Sequence, residues 1–257
     1  NKLEEVEEIK KGVWINLVNP SESEIKRVCT EVNIEEDFIR YPLDYEEQAR
    51  IDTEDDRILF VIDVPIIEDI QDDTTYTTMP LGVVIVRDDF FITVSLKKNK
   101  IIDAFEKEKI KSFYTYKKTR FLLQILYLNS ACYLDNLKKI NKEQEATVFL
   151  LQQSMKNRDL IQLLNLQNSL IYITTSLKSN EIVMEKTLRG KVLNVEKSST
   201  GKVMDSDVLN IFSALGCGYG EYYDESKLNY HKINIFTGAR PPEDFFVFAA
   251  RRFSRSV

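Results

Sequence analysis

The chain is short of the residues from which most recognisable sites are built. It holds one histidine, one tryptophan and three cysteines in 257 residues. A single histidine, His231, excludes a multi-histidine zinc centre, and a Ser/His/Asp triad would have to be assembled around that one residue in the C-terminal region. Cys29, Cys132 and Cys217 stand far apart without CxxC spacing, so neither a cysteine-rich metal site nor a disulfide framework is expected, and a reducing compartment fits. Long apolar runs are missing too. A membrane helix needs about 18–20 consecutive apolar residues, and the longest clean runs, such as Leu81–Val86, are strand-sized. Basic charge is also in deficit, with 35 Lys and Arg against 41 Asp and Glu, a formal net charge of −6 and a pI near 5.2. Nucleic acid is therefore not an expected partner, because displacing phosphate counterions needs a concentrated basic face.

Glycine is scarce as well, and six of the eight glycines lie at or after Gly190. Gly216, Gly218 and Gly220 form G-C-G-Y-G, which lacks the GxGxxG spacing and follows no buried strand. Ser198–Lys202 has the outline of a phosphate loop, but Glu196 replaces its first glycine and Val203 its magnesium-binding Ser or Thr. No cofactor loop and no grouping of nucleophile and base survives, so no catalytic residue and no organic cofactor are expected.

What is present suffices for a packed fold, with 43% hydrophobic and 30% charged residues. Trp14–Val18 reads as a short strand closed by Asn19-Pro20, and Ser21 with Glu24 forms a capping-box pattern that starts a helix through about Val32. An acidic helical segment near Ile34–Arg40 follows. Arg57–Val64 is rich in β-branched and aromatic residues and is expected to end at Pro65, while Asp52–Asp56 before it reads as a turn. Leu81–Val86 and Phe90–Leu96, separated by Arg87-Asp88-Asp89, suit an antiparallel hairpin, and Lys100–Ile110 returns to helical spacing. Strands mixed with helices in this way predict a sheet with helices on its faces.

From Thr119 the period is helical throughout. Leu123, Leu126, Tyr133, Leu137 and Ile140 fall on one stripe, as do Leu163, Leu166, Leu170, Ile173, Leu177, Met184 and Leu188 after a break at Asn157-Arg158-Asp159. Two helices of about 30 residues or more, each ~45 Å long, should pair as an antiparallel hairpin. The predicted organisation is an α/β domain over 1–115, a helical arm over 116–190 and a compositionally distinct tail over 191–257 with no recognisable stalk or membrane helix.

Acidic clusters are the one repeated chemical feature: Glu35-Glu36-Asp37, Asp44 with Glu46 and Glu47, Asp52 with Glu54–Asp56, Glu68-Asp69 with Asp72-Asp73, and Glu143 with Glu145. Hard divalent cations prefer carboxylate oxygen, and magnesium keeps most of its waters, so one or two carboxylates from each of two surfaces make a weak site. The plainer reading of each cluster is a solvated acidic face.

Four stretches together resemble the CorA family of magnesium transporters. They are Gly12–Pro20 (GVWINLVNP), Asp44–Ile51 with the acidic turn after it, Thr74–Gly82 (TTYTTMPLG) and Ser169–Asn180 (SLIYITTSLKSN), and the likeness extends over roughly residues 5–190. The resemblance implies an α/β/α sandwich with a mixed, partly antiparallel sheet, followed by a long antiparallel helical hairpin. It further implies the cytoplasmic part of a pentameric channel whose stalk, two membrane helices and Gly-Met-Asn signature are not recognisable here, so that this stretch alone would not conduct ions. In the family, magnesium bound between neighbouring domains holds the pore closed. Carried over by position, the regulatory carboxylates fall on Asp44 and on Glu143 or Glu145, with magnesium or cobalt as the weakly held ion. Two other readings stay open: a helical-hairpin interaction scaffold indifferent to cations, and the equivalent domain of a zinc-transporting relative.

Overall fold

A computed structural model describes residues 3–70, 73–87, 89–111, 113–153 and 156–188, together with two short strands at Tyr223–Asp224 and Asn229–Tyr230. Five strands form the principal sheet: β1 (Trp14–Val18), β2 (Arg50–Glu54), β3 (Arg57–Ile70), β4 (Asp73–Val86) and β5 (Phe90–Ser95). Their order is β1-β5-β4-β3-β2, with β1 parallel to β5 and every other pair antiparallel. The sheet is therefore mixed, as the strand pattern and the family resemblance imply.

Period-two alternation sends successive residues of β3 to opposite faces. Phe60, Ile62 and Val64 join Met79, Leu81, Val83 and Phe91 on one face, where α3 (Lys100–Glu106) and the start of α4 (Lys118–Gln153) cover them. Leu59 and Val61 join Val84, Ile92 and Val94 on the other, covered by α1 (Glu22–Val32) and α2 (Asp37–Arg40). The first core centres on aromatic packing. Phe121 stacks on Phe91 with centroids 4.1 Å apart and meets Trp14 edge-on at 5.1 Å, while the Trp14 indole N–H donates to Thr93 Oγ1 at 2.8 Å. The capping box is present as the sequence predicts: the Ser21 hydroxyl accepts from the Glu24 N–H, and Glu24 reaches back to the Ser21 N–H.

α4 and α5 (Asn157–Leu188) run 36 and 32 residues and pack on one another as the long hairpin that the apolar stripes predict. The second helix starts at Asn157, where the sequence reading places a break; Asp159 falls in its first turn, where a carboxylate favours the positive end of a helix. α3 likewise ends at Glu106, short of the expected Ile110.

Two strand boundaries differ from the sequence reading. β3 does not stop at Pro65 but continues to Ile70, and β4 begins at Asp73, so the two form a ribbon of 14 residues a side. Pro65 is tolerated because of where its missing N–H would point. Asp63 turns both its backbone groups away from β4, and Pro65, two residues on, faces the same open side, beyond the last residue of β3 that β2 pairs, Val61. Pro80 stands opposite Asp63, just outside the stretch of β4 that β5 pairs from Leu81 onward. Asp52–Glu54 is strand, not turn; the turn is Asp55-Asp56, with Asp55 at φ 48°.

Candidate functional site

The carboxylates singled out in the sequence divide by how they are used. Most acidic clusters are engaged internally. Glu22 and Glu36 clasp Arg40, whose guanidinium donates at 2.6–3.0 Å. Asp52 and Glu47 bind Arg50, Asp56 pairs with Arg87, and Glu68 holds Lys97 at 2.6 Å. Such pairs, most of them exposed, contribute little stability.

Asp44, Glu143 and Glu145 form no ion pair among the described residues. Asp44 ends the single 3-10 turn Tyr41–Leu43 and is exposed, its Oδ1 accepting the Glu46 N–H at 3.0 Å. That turn is fixed against the sheet by Pro42, which lies over Gly82: a Cβ on Gly82 would stand 2.2 Å from Pro42 Cγ, so only glycine fits. Beside it, Lys97 lies 5.6 Å from the centre of the Tyr45 ring while it holds Glu68, tying the Asp44 loop to the β3–β4 ribbon. Glu143 is half-buried on α4 and accepts a hydrogen bond from the Tyr76 hydroxyl; Glu145 is exposed on the same helix. Asp44 thus belongs to a loop beside the α1–α2 layer, and the two glutamates belong to the helical hairpin. Among the described residues no three His, Cys, Asp or Glu side chains are gathered closely enough to hold a metal ion, so the three carboxylates do not meet within one chain.

One acidic residue escapes the sequence reading altogether. Asp63 sits mid-strand in the apolar run RILFVIDV, at the point where the α4–α5 hairpin passes the open edge of β3. Its backbone N–H donates to Asn180 Oδ1 at 2.8 Å, and its carbonyl accepts from Asn180 Nδ2 at 2.8 Å, Asn129 Nδ2 at 2.9 Å and the Tyr133 hydroxyl at 3.1 Å. Burial pushes its carboxyl up to about 6, against the pull of a hydrogen bond from Ser176. Burial, with the Asp63 charge beside it, pushes the Tyr133 phenol up as well. The available signal was a carboxylate within the otherwise apolar stretch 58–67 of the strand.

Ser198–Lys202, the Gly216–Gly220 run, Cys217 and His231 lie outside the described residues. No helix among the described residues is long and apolar enough to cross a membrane.

Comparison with known proteins places this geometry. The chain is similar to the complete CorA magnesium transporter of Methanocaldococcus jannaschii, with a TM-score of 0.63 at 21% identity, over 95% of this chain and 69% of that one. It is similar to the soluble domain of CorA from the same organism, with a TM-score of 0.61 at 20% identity over 94% and 86% of the two chains. The cytoplasmic domain of ZntB from Vibrio parahaemolyticus also matches, with a TM-score of 0.54 at 10% identity over 94% and 85%. At these identities the likeness is one of fold. No curated protein matches the sequence. The family model of the CorA-like Mg2+ transporter proteins, however, matches residues 10–214, in agreement with the mixed sheet and long hairpin: the chain belongs to the CorA-like magnesium transporter family.

Proposed function

We infer that this region is the cation-responsive regulatory part of a magnesium transporter, without catalytic activity of its own. Its place would be on the cytoplasmic face of the membrane, in a parent that assembles as a pentamer and conducts ions through segments outside this region. The observation that carries the reading is the state of Asp44, Glu143 and Glu145. They are carboxylates without an internal cation on two separate surfaces of one chain, whereas Glu36, Glu47, Asp52, Asp56 and Glu68 of the described clusters are each paired with arginine or lysine. Opposed across an interface between two copies, such groups repel unless a cation lies between them, and a hydrated magnesium ion needs only one or two from each side. Loss of the ion favours separation, which couples ion concentration to packing of the ring. Cobalt would take the same oxygen ligands.

The test is diffraction from crystals soaked in cobalt. The reading expects an anomalous peak at an interface between copies, beside Asp44 and beside Glu143 or Glu145, that disappears in the Asp44→Asn and Glu143→Gln, Glu145→Gln chains. Cobalt bound elsewhere only, or retained in those variants, would overturn the assignment of these residues.

A second reading has an observation of its own. Phe149, Leu160, Ile161 and Leu164, flanking the turn of the hairpin, are about half exposed, as a surface for partner helices would be. It differs by expecting association that ignores magnesium. The equivalent domain of a zinc-transporting relative is the remaining alternative.

A further inference from the structure

β2 pairs with β3 only as far as Val61, and the next residue of β3 to face that open edge is Asp63. In place of a neighbouring strand, the edge is met by side chains of the hairpin: Asn180 from α5, which serves both backbone groups of Asp63, and Asn129 and Tyr133 from α4. Around this crossing the polar seam continues. Ser176 on α5 meets Thr78 on β4 at 2.8 Å, and the Ser169 hydroxyl accepts from the Tyr76 N–H at 3.2 Å. Further along, Glu143 on α4 accepts from the Tyr76 hydroxyl; around the crossing itself the groups that join hairpin to sheet are neutral, apart from the Asp63 carboxyl.

That carboxyl has no cationic partner among the described residues. On α4 the titratable neighbour is Tyr133, which burial keeps protonated throughout the neutral range. On α5 the facing groups, Ser176 and Asn180, do not titrate; Lys178 and Glu181 lie on the same helix and act on each other. On β4 the residues opposite are Pro80 and Thr78. On β2 the nearest charged residue, Arg50, stands opposite Val61 with its guanidinium taken by Glu47 and Asp52. A half-buried carboxylate with a single hydroxyl for compensation is costlier in its ionised form than in its neutral one.

We propose that Asp63 is a proton-operated latch: protonated, it lets the α4–α5 hairpin close on the open edge of β3, and ionised, it loosens that crossing. The direction follows from linkage. The folded-state carboxyl lies at about 6, above its ordinary value of 3.8, so the folded form holds the proton more tightly than the unfolded form. The stabilising contribution is complete below the ordinary value and is lost as pH rises through about 6. Acidification through about pH 6 therefore tightens the hairpin against the sheet, independently of any cation at Asp44, Glu143 or Glu145.

Amide hydrogen exchange on the full chain tests this, with protection factors corrected for intrinsic rate. In the wild type the protection of the residue 63 N–H should fall by up to about tenfold between about pH 5 and about pH 8, whereas in the Asp63→Asn chain it should stay at the acid level. Protection that does not change in the wild type, or that falls equally in Asp63→Asn, overturns the latch. Should the variant fail to fold, carbon NMR titration of the wild-type carboxyl decides: an apparent pKa near 6 supports the proposal, and one near 4 overturns it.

Discussion

At the scale of single residues, Gly82 shows how a backbone requirement reaches the loop that carries Asp44. It lies mid-strand in β4, where glycine is otherwise a weakness, and its missing side chain is what allows Pro42 to seat the turn carrying Asp44. Replacing it with alanine sets a methyl carbon against a proline ring held in a buried position, and neither a strand backbone nor a pyrrolidine ring yields easily. Gly82→Ala should destabilise the chain by about 1–3 kcal/mol, read as a lowered urea midpoint at unchanged m-value, and should displace Asp44. A midpoint unchanged within error would show that the turn is not fixed by this contact. Asp63 is the converse case, a side chain whose chemistry conflicts with its strand and is tolerated at the one point where the hairpin crosses it.

At the scale of elements, the crossing of α4 and α5 over β3 depends on Asn180 acting as a piece of β-strand. Asn180→Ala orphans the Asp63 N–H, while the carbonyl keeps Asn129 and Tyr133, so the loss should be that of one donor, about 1–3 kcal/mol in chemical denaturation. A change within about 0.5 kcal/mol would mean that water serves the edge equally well. The crossing was not legible in the sequence, because hydrogen bonds between Asp63 and residues far along the chain leave no periodic trace. What was legible followed from local chemistry. The Ser21–Glu24 cap, the β1 strand and the two long helices rest on spacing alone, and they stand where the spacing puts them. The strands failed where tertiary context overrides local preference. Pro65 reads as a terminator until the sheet shows that its N–H would face an open edge, and Thr74–Thr78 has β-branched residues without the apolar alternation that marks a strand. Asp44, Glu143 and Glu145 came from family resemblance, and what the chain adds is their freedom from internal ion pairs.

At the scale of the whole molecule, the three-layer sandwich and the hairpin divide the labour. The sheet with α1, α2 and the turn before β2 fixes one acidic surface, and the hairpin carries another some way along α4. A single chain holds these carboxylates apart, so under the proposed function ion binding and assembly would be one event, and under the proposed latch proton binding at Asp63 would act on the joint between the two parts. The most direct measurement is the thermal midpoint and oligomeric state of the chain in solution as magnesium rises through the millimolar range. Binding to the folded assembly should raise the midpoint progressively and shift the population toward the oligomer. Both responses should be lost in the combined Asp44→Asn, Glu143→Gln, Glu145→Gln chain. A midpoint and oligomeric state that ignore magnesium in the unmodified chain would contradict cation sensing and favour the scaffold.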